Sequence, residues 1–266
     1  MKKIFGILLV GLFLVSVFSD SDKEERIKKF KEKYGEDIEI LWNDKANQPK
    51  FISGNIDIFI GKERKEIKTK EKADSVSREF IQENYYFFSI YISTLVTSNI
   101  VYKEEKNRYY ITYDQLYNGL PVFSSSIVVS LDTNGVIKAV NSNYHYNINI
   151  STNATVLEDQ AKNIAIQHLD LTSEQLENST LGISEINGEY KLVWKIEFVP
   201  QSSRKDNVCL IDAQTGEVLR SYSTVVETNE TTNNEESKAM TEYLILLISI
   251  LLCILVMGIF IRRRIK

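Results

Sequence analysis

The chain has 266 residues and a formal charge of −4, but residues 1–19 and 243–266 carry bases and no acid, leaving residues 20–242 at a net −10. An acidic body argues against nucleic acid as a partner, which would need a basic surface. Two cysteines and two histidines exclude a disulfide scaffold, a cysteine-ligated zinc site and a His-Glu-x-x-His motif, so no cofactor or metal is expected.

Lys2 and Lys3 precede an uncharged run at 4–18, and an acidic run opens at Asp20. Residues 1–19 read as a secretory signal peptide cleaved near Ser19. An uncleaved anchor is the competing reading, although the run is short of the ~20 residues that a span needs. Residues 20–36 are charge-dense. Ile27, Phe30 and Tyr34 recur there at helical spacing and predict a short amphipathic helix.

Residues 37–147 read as a first domain. Strands are predicted at 38–42 and 51–60, with a turn over 43–49 between them. A helix is predicted over 70–91, with Ala73, Val76, Phe80, Ile81, Phe87 and Phe88 as its apolar stripe. Strands follow at 99–103, 108–117, 120–131 and 136–143. Asn118-Gly119 and Asp132-Thr133-Asn134-Gly135 supply the turns, because both segments tolerate positive φ.

Residues 148–224 repeat the pattern after a polar stretch. A helix over 157–169 would place Leu157, Ala161, Ile164, Ala165 and His168 on one side. Strands are predicted at 181–186, 190–198, 207–212 and 217–223, with turns at Asn187-Gly188 and Ala213-Gln214-Thr215-Gly216. The fold class is α+β: two small domains, each with a helix packed on an antiparallel sheet, plus a C-terminal transmembrane helix.

Residues 225–242 form a polar, acidic tether. Residues 243–261 are an uncharged run of 19, long enough to approach the ~30 Å of a hydrocarbon core. The basic tail at 262–266 stays cytoplasmic under the positive-inside rule. The expected location is a single-pass cell-membrane protein with its N-terminal body outside, and membrane lipid is the partner of the span.

The chain order also carries candidate sites. Gly119, Pro121 and Gly216 are read as turn-forming. Tyr109, Tyr113, Tyr117 and Phe123 are candidate partner-binding residues, with Tyr110, Tyr85 and Tyr86 nearby. Two readings stay open for the tyrosines: ordinary strand content, or a face that binds an extended chain at a sheet edge. Phe123 is either core, an interdomain contact or a partner surface. His145 reads as a surface or interdomain residue, and His168 as a residue near its helix end that is partly buried or caps the dipole. Cys209 reads as a buried free thiol and Cys253 as lying within the span. Asn149, Asn153, Asn178 and Asn229 begin glycosylation triplets of the kind an exposed ectodomain carries. No residue is assigned a catalytic role.

Residues 115–123 (Gln-Leu-Tyr-Asn-Gly-Leu-Pro-Val-Phe), followed by Asp132, Gly135, Val136 and Val140-Asn141, resemble the fungalysin/thermolysin propeptide (FTP) domain. The strand-turn-strand at 38–54 fits the same family. The helix at 157–169, Trp194-Lys195-Ile196 and the ending Ile211-Asp212-Ala213-Gln214-Thr215-Gly216-Glu217-Val218 resemble a PepSY domain. The resemblance spans about residues 37–225. It implies domains that assist folding of a thermolysin-like metallopeptidase and inhibit it until cleavage. Where a catalytic domain would begin, this chain has the tether and the span. The expectation is a non-enzymatic, membrane-anchored extracytoplasmic module that binds, inhibits or assists folding of a peptidase in trans. Its expected partner is a secreted or membrane-bound metallopeptidase. The alternative is a surface structural or adhesive module that binds peptide or envelope polymer.

Overall fold

The computed structural model describes residues 22–59, 66–200 and 206–224. The signal peptide, tether, span and tail expected from the sequence lie outside the described residues, as do Asn229 and Cys253. Among the described residues, no helix is long and apolar enough to cross a membrane. Both sheets of the structure belong to one compact unit.

The first layer is a helix at 22–34, α1, and a second helix, α2 (Lys70–Glu83), which is followed by the short α3 (Tyr85–Phe88). The strands beneath them are β1 (Glu39–Asn43), β2 (Gln48–Asp57), β3 (Leu95–Lys103), β4 (Arg108–Tyr117), β5 (Leu120–Pro121), β6 (Ile127–Asp132) and β7 (Val136–Ser142). All pair antiparallel in the order β1-β2-β7-β6-β4-β3, and β5 pairs with β4. Strand alternation decides what each face buries. Tyr109, Ile111, Tyr113 and Gln115 of β4 face inward, as their spacing predicts. Against them α2 buries Ala73, Val76, Phe80 and Ile81. The charged helix α1 adds Phe30 and Tyr34 to this same core, with the Phe30 ring stacked on Phe87 at 3.9 Å.

The helix expected over 70–91 breaks at Asn84. The Asn84 side chain donates to the Phe80 carbonyl at 2.7 Å and to the Tyr34 hydroxyl at 2.9 Å, a local bond that competes with helix continuation. Ser89, at φ 56°, ends α3.

The second layer is α4 (Glu158–Leu169) on β8 (Leu176–Ile186), β9 (Glu189–Phe198), β10 (Val208–Asp212) and β11 (Val218–Tyr222), in the order β11-β10-β9-β8. α4 buries only Ala161 and Ala165, so the stripe is narrower than expected. Leu157 is the N-cap and is 67% exposed, and His168 in the last turn is exposed. Cys209 is a free, buried thiol, and burial pushes it up to about 11, aided by the nearby Asp206.

The Asp132–Gly135 and Asp212–Gly216 turns of the two layers share one device. In the first, Asp132 Oδ1 accepts from the amides of Asn134 and Val136 at 2.9 and 3.0 Å, and Lys138 pairs with Oδ2 at 3.0 Å. In the second, Asp212 Oδ1 accepts from the amides of Gln214 and Thr215 at 2.8 and 3.1 Å, and Lys191 pairs with Oδ2 at 3.4 Å. Such side-chain-to-backbone bonds mimic a turn and fix the strand reversal. At Asp212 burial pulls the carboxyl upward, but the two amides and Lys191 together hold it below its ordinary value.

Candidate functional site

The two layers meet where the sequence predicts one continuous strand over 120–131. That expectation is corrected: β5 stops at Pro121, and β6 starts only at Ile127. The β-branched content of the segment reads as strand, but a long-range contact takes two of its residues elsewhere. Val122 forms a parallel bridge to Ile183 in β8, and the Phe123 amide donates to the Ile183 carbonyl at 2.7 Å. Ser124, at φ 64°, turns the chain back toward β6.

Asn118 and Gly119, at φ 49° and 83°, form the hairpin that aims this segment, and Pro121 pairs with Leu116 of β4. Gly216, at φ 78°, closes the corresponding turn of the second layer. The Phe123 ring rests on Gly182, where an added Cβ would lie 2.6 Å from the ring and 2.6 Å from the Pro121 carbonyl oxygen. The Lys195 ammonium sits 5.5 Å from the ring centroid, within cation–π range. Val122, Ile183, Leu192 and Ala213 form a small apolar core there, with Tyr117 and Leu120 packed against it. The Tyr117 hydroxyl donates to the Ile150 carbonyl at 3.3 Å.

Of the four residues expected to bind a partner, Tyr109 and Tyr113 lie in the core, while Tyr117 and Phe123 lie at the joint. Tyr113 is fully buried and Tyr109 is 5% exposed, because their positions on β4 face α2. Their strand is also interior, between β3 and β6, and offers no free edge. Tyr117 and Phe123 are half-buried and join the two layers.

The open surface lies beside the joint, on the segment 144–148. Tyr146 and Asn147 line three adjoining clefts. The largest, of about 480 Å³, runs past Lys45, Tyr85 and Tyr86. A second passes Tyr91 and Tyr117, and the third reaches Glu185 and Tyr190 of the second layer. Tyr85, Tyr86 and Tyr91 are 41%, 54% and 47% exposed. Tyr91 lies parallel to Tyr146 at 6.4 Å and packs on Tyr85 at 5.2 Å. Arg26 forms the wall of the largest cleft, but its guanidinium is committed. It donates to the Asn47 and Phe87 carbonyls at 2.9 and 2.7 Å and lies 4.9 Å from the Trp42 ring centroid.

His145 stands at the centre of the joint, in line with one of its two expected placements. Its Nδ1 lies 3.2 Å from the Tyr190 hydroxyl and 3.4 Å from Glu185 Oε2, while Lys45 pairs with Glu185 Oε1 at 3.2 Å. Its backbone is clamped by Gln115, which donates to its carbonyl at 2.8 Å and accepts from its amide at 2.9 Å. Asn149, Asn153 and Asn178, which begin Asn-x-Ser/Thr triplets, are all exposed.

Sequence reasoning named Tyr85, Tyr86, Tyr117 and His145 but missed Tyr91, Tyr146, Lys45, Glu185, Tyr190 and Gly182. The usable signal was the Tyr144-His145-Tyr146 run beyond β7, a cluster of half-polar rings in a connecting segment. Together these groups offer ring faces, hydroxyls, an ammonium and a carboxylate along one channel. Ring faces and hydroxyls of this kind supply stacking and hydrogen-bonding capacity.

Comparison with known proteins bears on the same two layers. Residues 101–144 match the Fungalysin/Thermolysin Propeptide Motif, FTP, and residues 155–222 match the Peptidase propeptide and YPEB domain, PepSY. No curated protein matches the chain. Among solved structures, the Bacillus megaterium YpeB C-terminal domain is similar, at 15% identity and a TM-score of 0.38. That alignment covers 75% of this chain and 94% of the other.

Proposed function

From an FTP domain followed by a PepSY domain, we propose a non-catalytic, propeptide-like module that binds a peptidase in trans, restraining it or assisting its folding. The observation that carries this reading is the pairing of two propeptide-type domains in one compact unit, because such domains are associated with peptidases. The Tyr85–Tyr91–Tyr146 channel gives that unit a surface suited to an extended segment of the client. Residues 243–261 would anchor the module in the cell membrane, with the acidic tether at 225–242 keeping it clear of the headgroups and the body outside. The exposed sequons at Asn149, Asn153 and Asn178 are compatible with that side of the membrane.

Cross-linking on intact membranes, followed by capture of the full chain, tests the reading. The expected result is enrichment of a secreted or membrane-bound metallopeptidase. Repeated capture without any peptidase overturns it.

A further inference from the structure

His145 belongs to the FTP side of the joint, yet its side chain reaches across to groups of the PepSY side: Tyr190 of β9 and Glu185 of β8. Its side chain is 10% exposed, and its Nε2 is buried without a hydrogen-bond partner among the described residues. A neutral ring carrying its proton on Nδ1 tolerates this, since Nε2 is then a bare acceptor. An imidazolium must place a second N–H at that atom, buried and unpaired, which incurs the full desolvation penalty of a charged donor.

The groups around the ring decide whether that penalty is offset. Glu185 attracts the imidazolium, but Lys45 already pairs with the other carboxylate oxygen. Tyr190 is a neutral hydroxyl, Gln115 holds the backbone, and Tyr144 and Tyr146 flank the ring in sequence. Burial outweighs the carboxylate and holds the His145 pKa below its ordinary value. Because Gln115 clamps the histidine backbone to the FTP sheet, relief comes from moving the β8–β9 hairpin away, which lets water reach Nε2.

We propose that the FTP–PepSY joint is an acid-sensitive latch: protonation of His145 at its buried Nε2 loosens the contact between the segment 144–148 and the β8–β9 hairpin. The sign follows from linkage. The histidine's contribution to closure is complete above its ordinary pKa near 6.5 and declines as pH falls below that value toward the depressed one. The latch is a property of this fold alone; release of a bound peptidase on acidification is the consequence that rests on the function proposed above.

Hydrogen exchange on the full chain in detergent, corrected for the intrinsic pH dependence of exchange, reads the latch without any client. Protection of the Phe123 amide and of residues 182–190 is expected to fall between pH 7.5 and 5.0, while β10 amides keep theirs. His145→Gln, which cannot charge, is expected to flatten that fall. An unchanged joint in the native chain, or an equal fall in the variant, overturns the proposal. If the variant is already loose at pH 7.5, NMR titration of native His145 decides. A midpoint below 6.5 supports the latch, and a midpoint at or above 6.5 overturns it.

Discussion

Gly182 shows how much of the joint rests on a missing methyl group. A Cβ added there would lie 2.6 Å from a Phe123 ring edge and from the Pro121 carbonyl oxygen, and the carbonyl has no rotamer to escape into. Gly182→Ala is therefore expected to cost about 1–3 kcal/mol by overpacking, seen as a lower denaturant midpoint. The cost should couple to the ring it strikes. In a double-mutant cycle, adding Gly182→Ala to Phe123→Ala is expected to cost clearly less than Gly182→Ala alone. Full additivity would show that the ring does not set the constraint. The tyrosines teach the complementary lesson about single residues. A phenol suits a core, an interface or a wet face, so identity alone left Tyr109 and Tyr113 open, and only the packing of α2 over β4 assigns them to the interior.

At the scale of elements, α1 is the clearest case of a charged segment that is structural. Its lysines and glutamates face water, while Phe30 fills a nest of rings made by Tyr34, Phe80, Phe87 and Phe88. Phe30→Ala is expected to destabilise the first layer by about 3–5 kcal/mol, measured as a fall in the unfolding free energy. A change within 0.5 kcal/mol would mean that the helix is not docked as described. The hairpins at Asn118-Gly119 and Asn187-Gly188 were legible because turn chemistry is local: both asparagines and both glycines carry the positive φ their types permit. The break between β5 and β6 was not. Val122, Phe123 and Ile127–Val129 read as strand on either side of Ser124–Ser126, and what takes Val122 and Phe123 away is a partner about sixty residues on in the chain, at Ile183. The break at Asn84 was missed for a milder reason, since an asparagine inside an apolar stripe does not reveal whether it will bond its own helix.

For the whole molecule, the two Asp-to-Gly turns and the two domain signatures were visible in the sequence, but the way the domains meet was not. The pairing of Phe123 with Ile183, and of His145 with Glu185 and Tyr190, joins residues on either side of the linker at 147–155. It makes one body of what reads as two, and it creates the tyrosine-lined channel as a by-product of the junction. The central claim, that this body binds a peptidase, is tested most directly by equilibrium titration of the detergent-solubilised full chain against thermolysin-like metallopeptidases of the same source, with hydrolysis of a peptide substrate followed in parallel. The account predicts saturable binding with hydrolysis slowing in step. Peptidases that neither bind the chain nor slow at any concentration of it would contradict the account.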